Sequence, residues 1–131
     1  MNPPLLGRLI KRADFLAAAK SGLKFVKPSV VVQSRRRPAP ELDQHPIDPG
    51  LIRIGFTATK ALGNAVVRNR VKRRLRAASA KLVPQYGLPG CDYVFIGREQ
   101  AYKGSFDDLI RDMKHALKRL ADQMAAPPPT S

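Results

Sequence analysis

A single cysteine, Cys91, leaves no partner for a disulfide within the chain and fits a reducing compartment. Tryptophan is absent and aromatic residues make up only 6% of the sequence, so few large rings are available for packing or stacking. No run approaches the roughly 18–20 apolar residues that span a bilayer. The N-terminus, MNPPLLGRLIKR, has neither a long apolar stretch nor a small-residue cleavage pattern, so no signal peptide is expected. A cytoplasmic location is the resulting expectation. The two histidines, His45 and His115, have no Cys/His/carboxylate cluster around them in sequence, which predicts no metal held by the protein.

Acidic residues are scarce where it matters most. Residues 1–91 hold eighteen Lys and Arg against four acids, a balance of +14, and no acid lies between Asp48 and Asp92. Residues 92–131 carry six charges of each sign. A basic protein that merely needs solubility intersperses its signs. Segregation of this kind points to a phosphate-bearing partner, bound largely by releasing its condensed counterions.

What is present is best read along the chain, which at 131 residues fits one domain. A short helix is expected through residues 14–20, with Phe15, Leu16 and Ala19 inward and Gly22 as a left-handed C-cap. Residues 29–33, SVVVQ, read as a strand. Residues 35–50 are rich in Pro, Asp and Arg and predict a flexible loop with a mobile hairpin tip. Residues 51–59 read as a second strand with Ile52, Ile54 and Phe56 on one face. A helix follows from an Asn64 N-cap and is expected to close at Pro84 and Gly87, and a third strand covers residues 92–97. Ser105 and Asp108 open a last helix in a capping-box pattern, and its stripe Phe106, Leu109, Ile110, Met113, Leu117, Leu120, Met124 is a core face. The expected domain is 1–124, with 125–131 a disordered tail. The order predicts a small α/β sandwich with helices against one sheet.

The helix after Asn64 is the most informative segment. Val67, Val71, Leu75, Ala78 and Leu82 fall in a narrow arc at 100° per residue. Arg68, Lys72 and Arg76 form a row beside this arc, and Asn69 and Arg73 a second row further round. Arg70 and Arg74 lie on the other flank, available for a different contact. Like charges four residues apart cost roughly 0.2–0.5 kcal/mol per pair. No glutamate relieves them here, so a bound anion is the expected compensation. Arginine can fork onto phosphates or base edges and stack on bases, which lysine cannot. These features predict nucleic-acid binding without choosing RNA over DNA.

The same segment resembles the signature of the protein subunit of bacterial ribonuclease P. Residues 63–76, GNAVVRNRVKRRLR, fit the pattern G-N-A-V-x-R-N-R-x-K-R-x-x-R. Arg53, Gly55, Thr57 and Lys60 ahead of it, Asp92-Tyr93 behind it and Asp14-Phe15 near the start extend the likeness to roughly residues 8–121. The resemblance implies an α+β two-layer sandwich with a small mixed sheet, related to a ribosomal-protein domain, with a left-handed βαβ crossover. It also implies a single RNA-binding domain that partners a large catalytic RNA. That holoenzyme cleaves precursor tRNA endonucleolytically to leave the mature 5′ end, with Mg²⁺ held mainly by the RNA. Carried over by position, Arg68, Asn69, Arg70, Lys72, Arg73 and Arg76 would contact RNA, with Lys60 and Asn64 flanking them. Phe15 would sit in a cleft for the 5′ leader, with Arg8, Lys11 and Arg12 at its entrance. Ala19 and Gln33 depart from the pattern, since relatives often carry aromatics there, and Arg74 replaces a usually apolar residue.

No catalytic residue is expected on the protein. Cys91 reads as a packed thiol, Asp107 and Asp108 as charges favourable to a helix N-terminus, and the Gly63 and Gly104 turns make no phosphate loop. From the residues alone, Phe15 also fits a plain core position. Two further classes fit the basic helix: an RNA-binding protein with no enzymatic partner, and a DNA-binding protein using it in a major groove. No helix-turn-helix spacing supports the second, so no DNA partner and no membrane partner are expected.

Overall fold

Apolar residues at a period of two and of 3.6 compete along this chain, and each wins where the sequence places it. The computed structural model describes residues 5–37 and 50–125. The strands are β1 (Leu6–Arg8), β2 (Leu23–Val26), β3 (Val30–Arg36), β4 (Ile52–Thr57) and β5 (Cys91–Gly97). The helices are α1 (Arg12–Ser21), α2 (Ala65–Tyr86), the single turn α3 (Gln100–Lys103) and α4 (Phe106–Ala125), with a 3₁₀ turn at Lys60–Leu62.

One mixed sheet runs in the order β1-β4-β5-β3-β2. β4 is parallel to both β1 and β5, whereas β3 is antiparallel to β5 and β2. Alternation sends Val30, Val32, Ile52, Tyr93 and Phe95 to one face. There they meet Val71, Leu75 and Leu82 of α2 and Leu109, Met113, Leu117 and Leu120 of α4. This is the two-layer sandwich. The short α1 crosses the opposite face, over a smaller cluster of Leu9, Ala18 and Val94 with Phe15 and Ile96 partly buried.

The hand of the β4–α2–β5 crossover follows from backbone chirality. Ile52 N–H donates to Leu5 O and Leu9 N–H donates to Ile54 O, so both isoleucines turn their backbone polar groups toward β1. In an upward strand of L-residues whose side chain faces the viewer, that residue's backbone groups point right. The side chains of Ile52 and Ile54 face the α2 layer, so β1 lies to the right and β5 to the left. The crossover therefore steps leftward and is left-handed, the rare hand for such units.

Several boundaries differ from the sequence reading. α1 runs two residues further at its start and buries Ala18, with Phe15 half-buried and Leu16 and Ala19 exposed. The run FLAAA suits several helical phases, so periodicity could not choose among them. Gly22 ends α1 in an extended conformation, not a left-handed one; glycine is needed because a Cβ would lie 2.4 Å from Ser34 O. α2 passes through Pro84 to Tyr86, since proline in the last turn removes one donor while Leu82 and Val83 stay anchored in the core. β3 begins at Val30 and continues through Arg36, because Arg35 pairs in register with Asp92 and Arg36 with Cys91. Arg35 and Arg36 thus belong to the sheet and not to the expected 35–50 loop. The rest of that loop's reading, over 38–49, lies outside the described residues, as does the tail reading over 126–131, while Ala125, expected in that tail, closes α4 instead. β1, β2 and α3 were not expected: each has three or four residues, too few for a period to show.

Candidate RNA interface

Asn64 caps α2 as its chemistry predicts, its side-chain oxygen accepting Val67 N–H at 3.1 Å. The turn before it needs glycine at position 63, where φ is +148°. Below this start, Val71, Leu75, Ala78, Leu82 and Val83 are buried and Val67 half-buried, so the apolar arc docks on the sheet. The opposite surface carries Asn69, Arg70, Arg73 and Arg76 exposed, and Arg68 and Lys72 half-buried beside the core. Lys60 and Asn64 are exposed at its N-terminal end. The structure thus gathers these eight residues on one helix and the turn leading into it.

The charges of this helix are left over. Among the described residues, Lys60, Arg68, Arg70, Lys72, Arg73 and Arg76 take part in none of the ion pairs. Arg68 Nε is buried without a hydrogen-bond partner. Arg76 lies with its guanidinium carbon 5.7 Å from the Phe56 ring centroid, a cation–π contact that leaves its forked edge free. Arg74 behaves differently: it donates to Ala101 O and Gly104 O, both at 3.0 Å, and so ties α2 to the α3 turn. The flank that carries Arg74 is structural at that position.

Three other arginines are consumed by the sheet. Arg37 and Arg53 both donate to the fully buried Asp92, at 2.7–2.8 Å, and Arg35 approaches it at 3.6 Å. Burial alone would raise the Asp92 carboxyl, but hydrogen bonds from Arg53 and Arg37 and their charges outweigh it and hold it below the ordinary carboxylate range. Arg53, whose own pKa is raised first by its Asp92 hydrogen bond, also donates to Asp14 of α1 at 3.3 Å.

A second surface lies between α1 and the sheet. Phe15 packs over Gly55, where a Cβ would come within 2.5 Å of the ring. Its ring is partly buried, consistent both with packing and with presenting an edge outward. Beyond Phe15 the sheet face is only partly covered. By register, Val31, Ile96 and Thr57 form one row with Val26 beside it, and Gln33 and Lys24 sit next to Val94. Val26 is 52% exposed, which is unusual for a valine on a sheet facing a helix. Arg8, Lys11 and Arg12 are exposed at the N-terminal side of α1. Sequence reasoning missed Val26, Val31, Ile96 and Thr57 as a floor; the signal was the second face of each strand, residues 53, 55 and 57 opposite Ile52, Ile54 and Phe56. Gln33, singled out for its departure from the pattern, belongs to this floor.

Among the described residues no group of three His, Cys, Asp or Glu is placed to hold a metal ion. Cys91 is fully buried, its sulfur 3.7 Å from Met124 Sδ, and burial raises its pKa, the opposite of an activated nucleophile. Asp108 N–H donates to Ser105 Oγ at 3.0 Å while the Asp108 carboxylate takes Arg111, so the capping box closes on one side only. His115 meets Phe25 edge-on and accepts a hydrogen bond on Nδ1 from Lys27 Nζ at 3.0 Å. No helix among the described residues is long and apolar enough to cross a membrane.

Comparison with known proteins meets this geometry at every level. The family model described as Ribonuclease P matches residues 5–121. The ribonuclease P protein component of Ruegeria pomeroyi is 45% identical over 86% of this chain and 84% of its own length. Among solved structures, a mutant RNase P protein of Staphylococcus aureus superimposes with a TM-score of 0.69 at 26% identity, covering 86% of each chain. The RNase P protein of Thermotoga maritima does so with a TM-score of 0.66 at 26% identity, covering 86% of this chain and 96% of that one. With the mixed sheet, the left-handed crossover and the basic helix all in place, the chain belongs to the family of bacterial ribonuclease P protein components.

Proposed function

We propose that this chain binds the catalytic RNA of ribonuclease P through α2 and the 5′ leader of precursor tRNA between α1 and the sheet. In this role it assists endonucleolytic removal of the leader, leaving the mature tRNA 5′ end. The observation that carries the reading is the set of cations outside any ion pair on a helix whose apolar arc is docked on the core. Lys60, Arg68, Arg70, Lys72, Arg73 and Arg76 repel one another without an acid to relieve them. A phosphate backbone supplies that relief and returns counterions to solution. The capped and docked helix holds the cations in fixed rows, so binding costs little ordering.

On the other face, the Phe15 edge and the partly open floor offer stacking and apolar contact to single-stranded bases. Arg8, Lys11 and Arg12 add charge at the same end. Scission would fall to the RNA partner, where bound Mg²⁺ would supply the chemistry of water activation. The protein's residues bind and orient. Their contribution is to hold substrate and RNA together where either alone would repel the other.

The test is reconstitution. At low Mg²⁺, where the RNA alone is slow, adding this protein to a bacterial ribonuclease P RNA is expected to restore cleavage of a leader-bearing precursor tRNA. Absence of stimulation by folded protein, with the same RNA competent at high Mg²⁺, overturns the reading.

A further inference from the structure

We propose that Asp14 and Arg53 are positioning residues, whose ion pair sets the rotational phase of α1 and so presents Phe15 to the substrate leader. The inference rests on the leader-cleft reading and adds to it the device that holds the cleft in shape.

The apolar content of α1 does not by itself fix how the helix lies. Phe15 and Leu16 are adjacent, and Ala17, Ala18 and Ala19 follow them. A rotation of about 100° exchanges one of the large residues for the other. Burying a leucine or a phenylalanine yields a similar gain, and in the structure Leu16 stays 49% exposed. The cluster beneath α1 is small, with only Leu9, Ala18 and Val94 buried. Hydrophobic burial therefore discriminates weakly between phases here.

The polar contact discriminates strongly. Arg53 is itself immobilised by a fork onto Asp92, Nε to Oδ1 at 2.8 Å and Nη2 to Oδ2 at 2.7 Å. Asp92 is fully buried and takes a second arginine, Arg37, at 2.8 Å, so the fork is anchored in the sheet. This leaves Nη1 of Arg53 aimed at α1, where it donates to Asp14 Oδ2 at 3.3 Å. Two residues on, Gly55 faces the same side and receives the Phe15 ring against its bare backbone. Alternate residues of β4, Arg53 and Gly55, thus take adjacent residues of α1, Asp14 and Phe15. Two attachment points fix a helix about its axis where one cannot. If Asp14 lets go, α1 can rotate toward Leu16, and the Phe15 ring leaves the edge of the cleft.

Asp14→Asn removes the charge while keeping size, and Asp14→Glu restores it. In holoenzyme reconstituted with the catalytic RNA, KM and kcat are measured for leader-bearing precursor, and binding is measured for mature tRNA. For Asp14→Asn the preference for leader-bearing over mature tRNA is expected to fall about threefold to tenfold, the scale of one ordinary net hydrogen bond. The loss should appear in KM, with the affinity of protein for catalytic RNA unchanged, and should match Phe15→Ala in kind. Asp14→Glu should recover most of it. Arg53→Lys, which keeps a cation beside Asp92 but cannot fork and reach Asp14 together, should resemble Asp14→Asn. A lower melting temperature with wild-type leader preference in Asp14→Asn means the pair is merely structural, and overturns the inference. A wild-type protein that stimulates cleavage but shows no leader preference overturns the leader-cleft reading, and the inference with it.

Discussion

Arg74 and Arg76 lie two residues apart on α2 and do unlike work. Arg74 is spent on Ala101 O and Gly104 O, whereas Arg76 rests on Phe56 with its polar edge free. Residue type alone could not separate them; the neighbours on α3 and β4 do. The distinction yields a prediction for single residues. Arg68→Ala and Arg73→Ala should weaken binding to the catalytic RNA and flatten the slope of log K against log salt. The slope should shrink by about 0.7–0.9 for every phosphate that is no longer neutralised. Arg74→Ala should leave the slope in place and lower the urea midpoint instead. Filter binding across a potassium chloride series, beside urea melts, checks both halves. An equal slope change in all three variants would mean that Arg74 also meets RNA.

At the scale of elements, α2 approaches the sheet closely because β5 ends in glycine. A Cβ at Gly97 would lie 2.3 Å from Val71 Cγ1. Gly97→Ala should therefore destabilise the fold by about 1–3 kcal/mol through overpacking. Adding Val71→Ala removes the obstructing methyl, so the double variant should cost less than the sum of the two single ones. Thermal melts of the four proteins in that cycle test it; strict additivity would place the strain elsewhere. The elements themselves were unequally legible. α2 and α4 announced their apolar stripes over residues 67–82 and 106–124, and the Asn64 and Ser105 caps marked their starts. α1 was found with Phe15 inward as expected, but Leu16 and Ala19 are exposed and Ala18 is buried instead, because its five-residue apolar run fits several phases. β1 and β2 are too short to show alternation, and they stand because β4 and β3 offer them a ladder.

Across the whole molecule, Asp92 joins β3, β4, β5 and, through Arg53, α1. Asp92→Asn leaves two arginines nearly buried without their counter-ion and should cost about 3–5 kcal/mol. Because the Asp92 pKa is lowered in the folded protein, its contribution is full above the ordinary carboxylate pKa, about 4, and is lost as pH falls through the lower folded value. Urea midpoints measured from neutral to strongly acidic pH should fall for the wild type and fall less for Asp92→Asn. Parallel curves would assign the acid sensitivity to other carboxylates. The candidate interface was legible in the same uneven way. The α2 signature lies within fourteen consecutive residues, whereas the floor of the cleft draws Val26, Val31, Thr57 and Ile96 from four strands and has no contiguous trace.

By itself the sequence determined what is local: the length and caps of the long helices, the apolar arc of α2, the cations beside it and the family signature they form. It also settled the segregation of charge, which needs only counting. The tertiary structure alone decided which cations are free, because freedom depends on whether Asp14 and Asp92, distant in the chain, come close. It decided the phase of α1 for the same reason. Periodicity reports a residue's relation to its own helix, while pairing and close approach depend on residues tens of positions away.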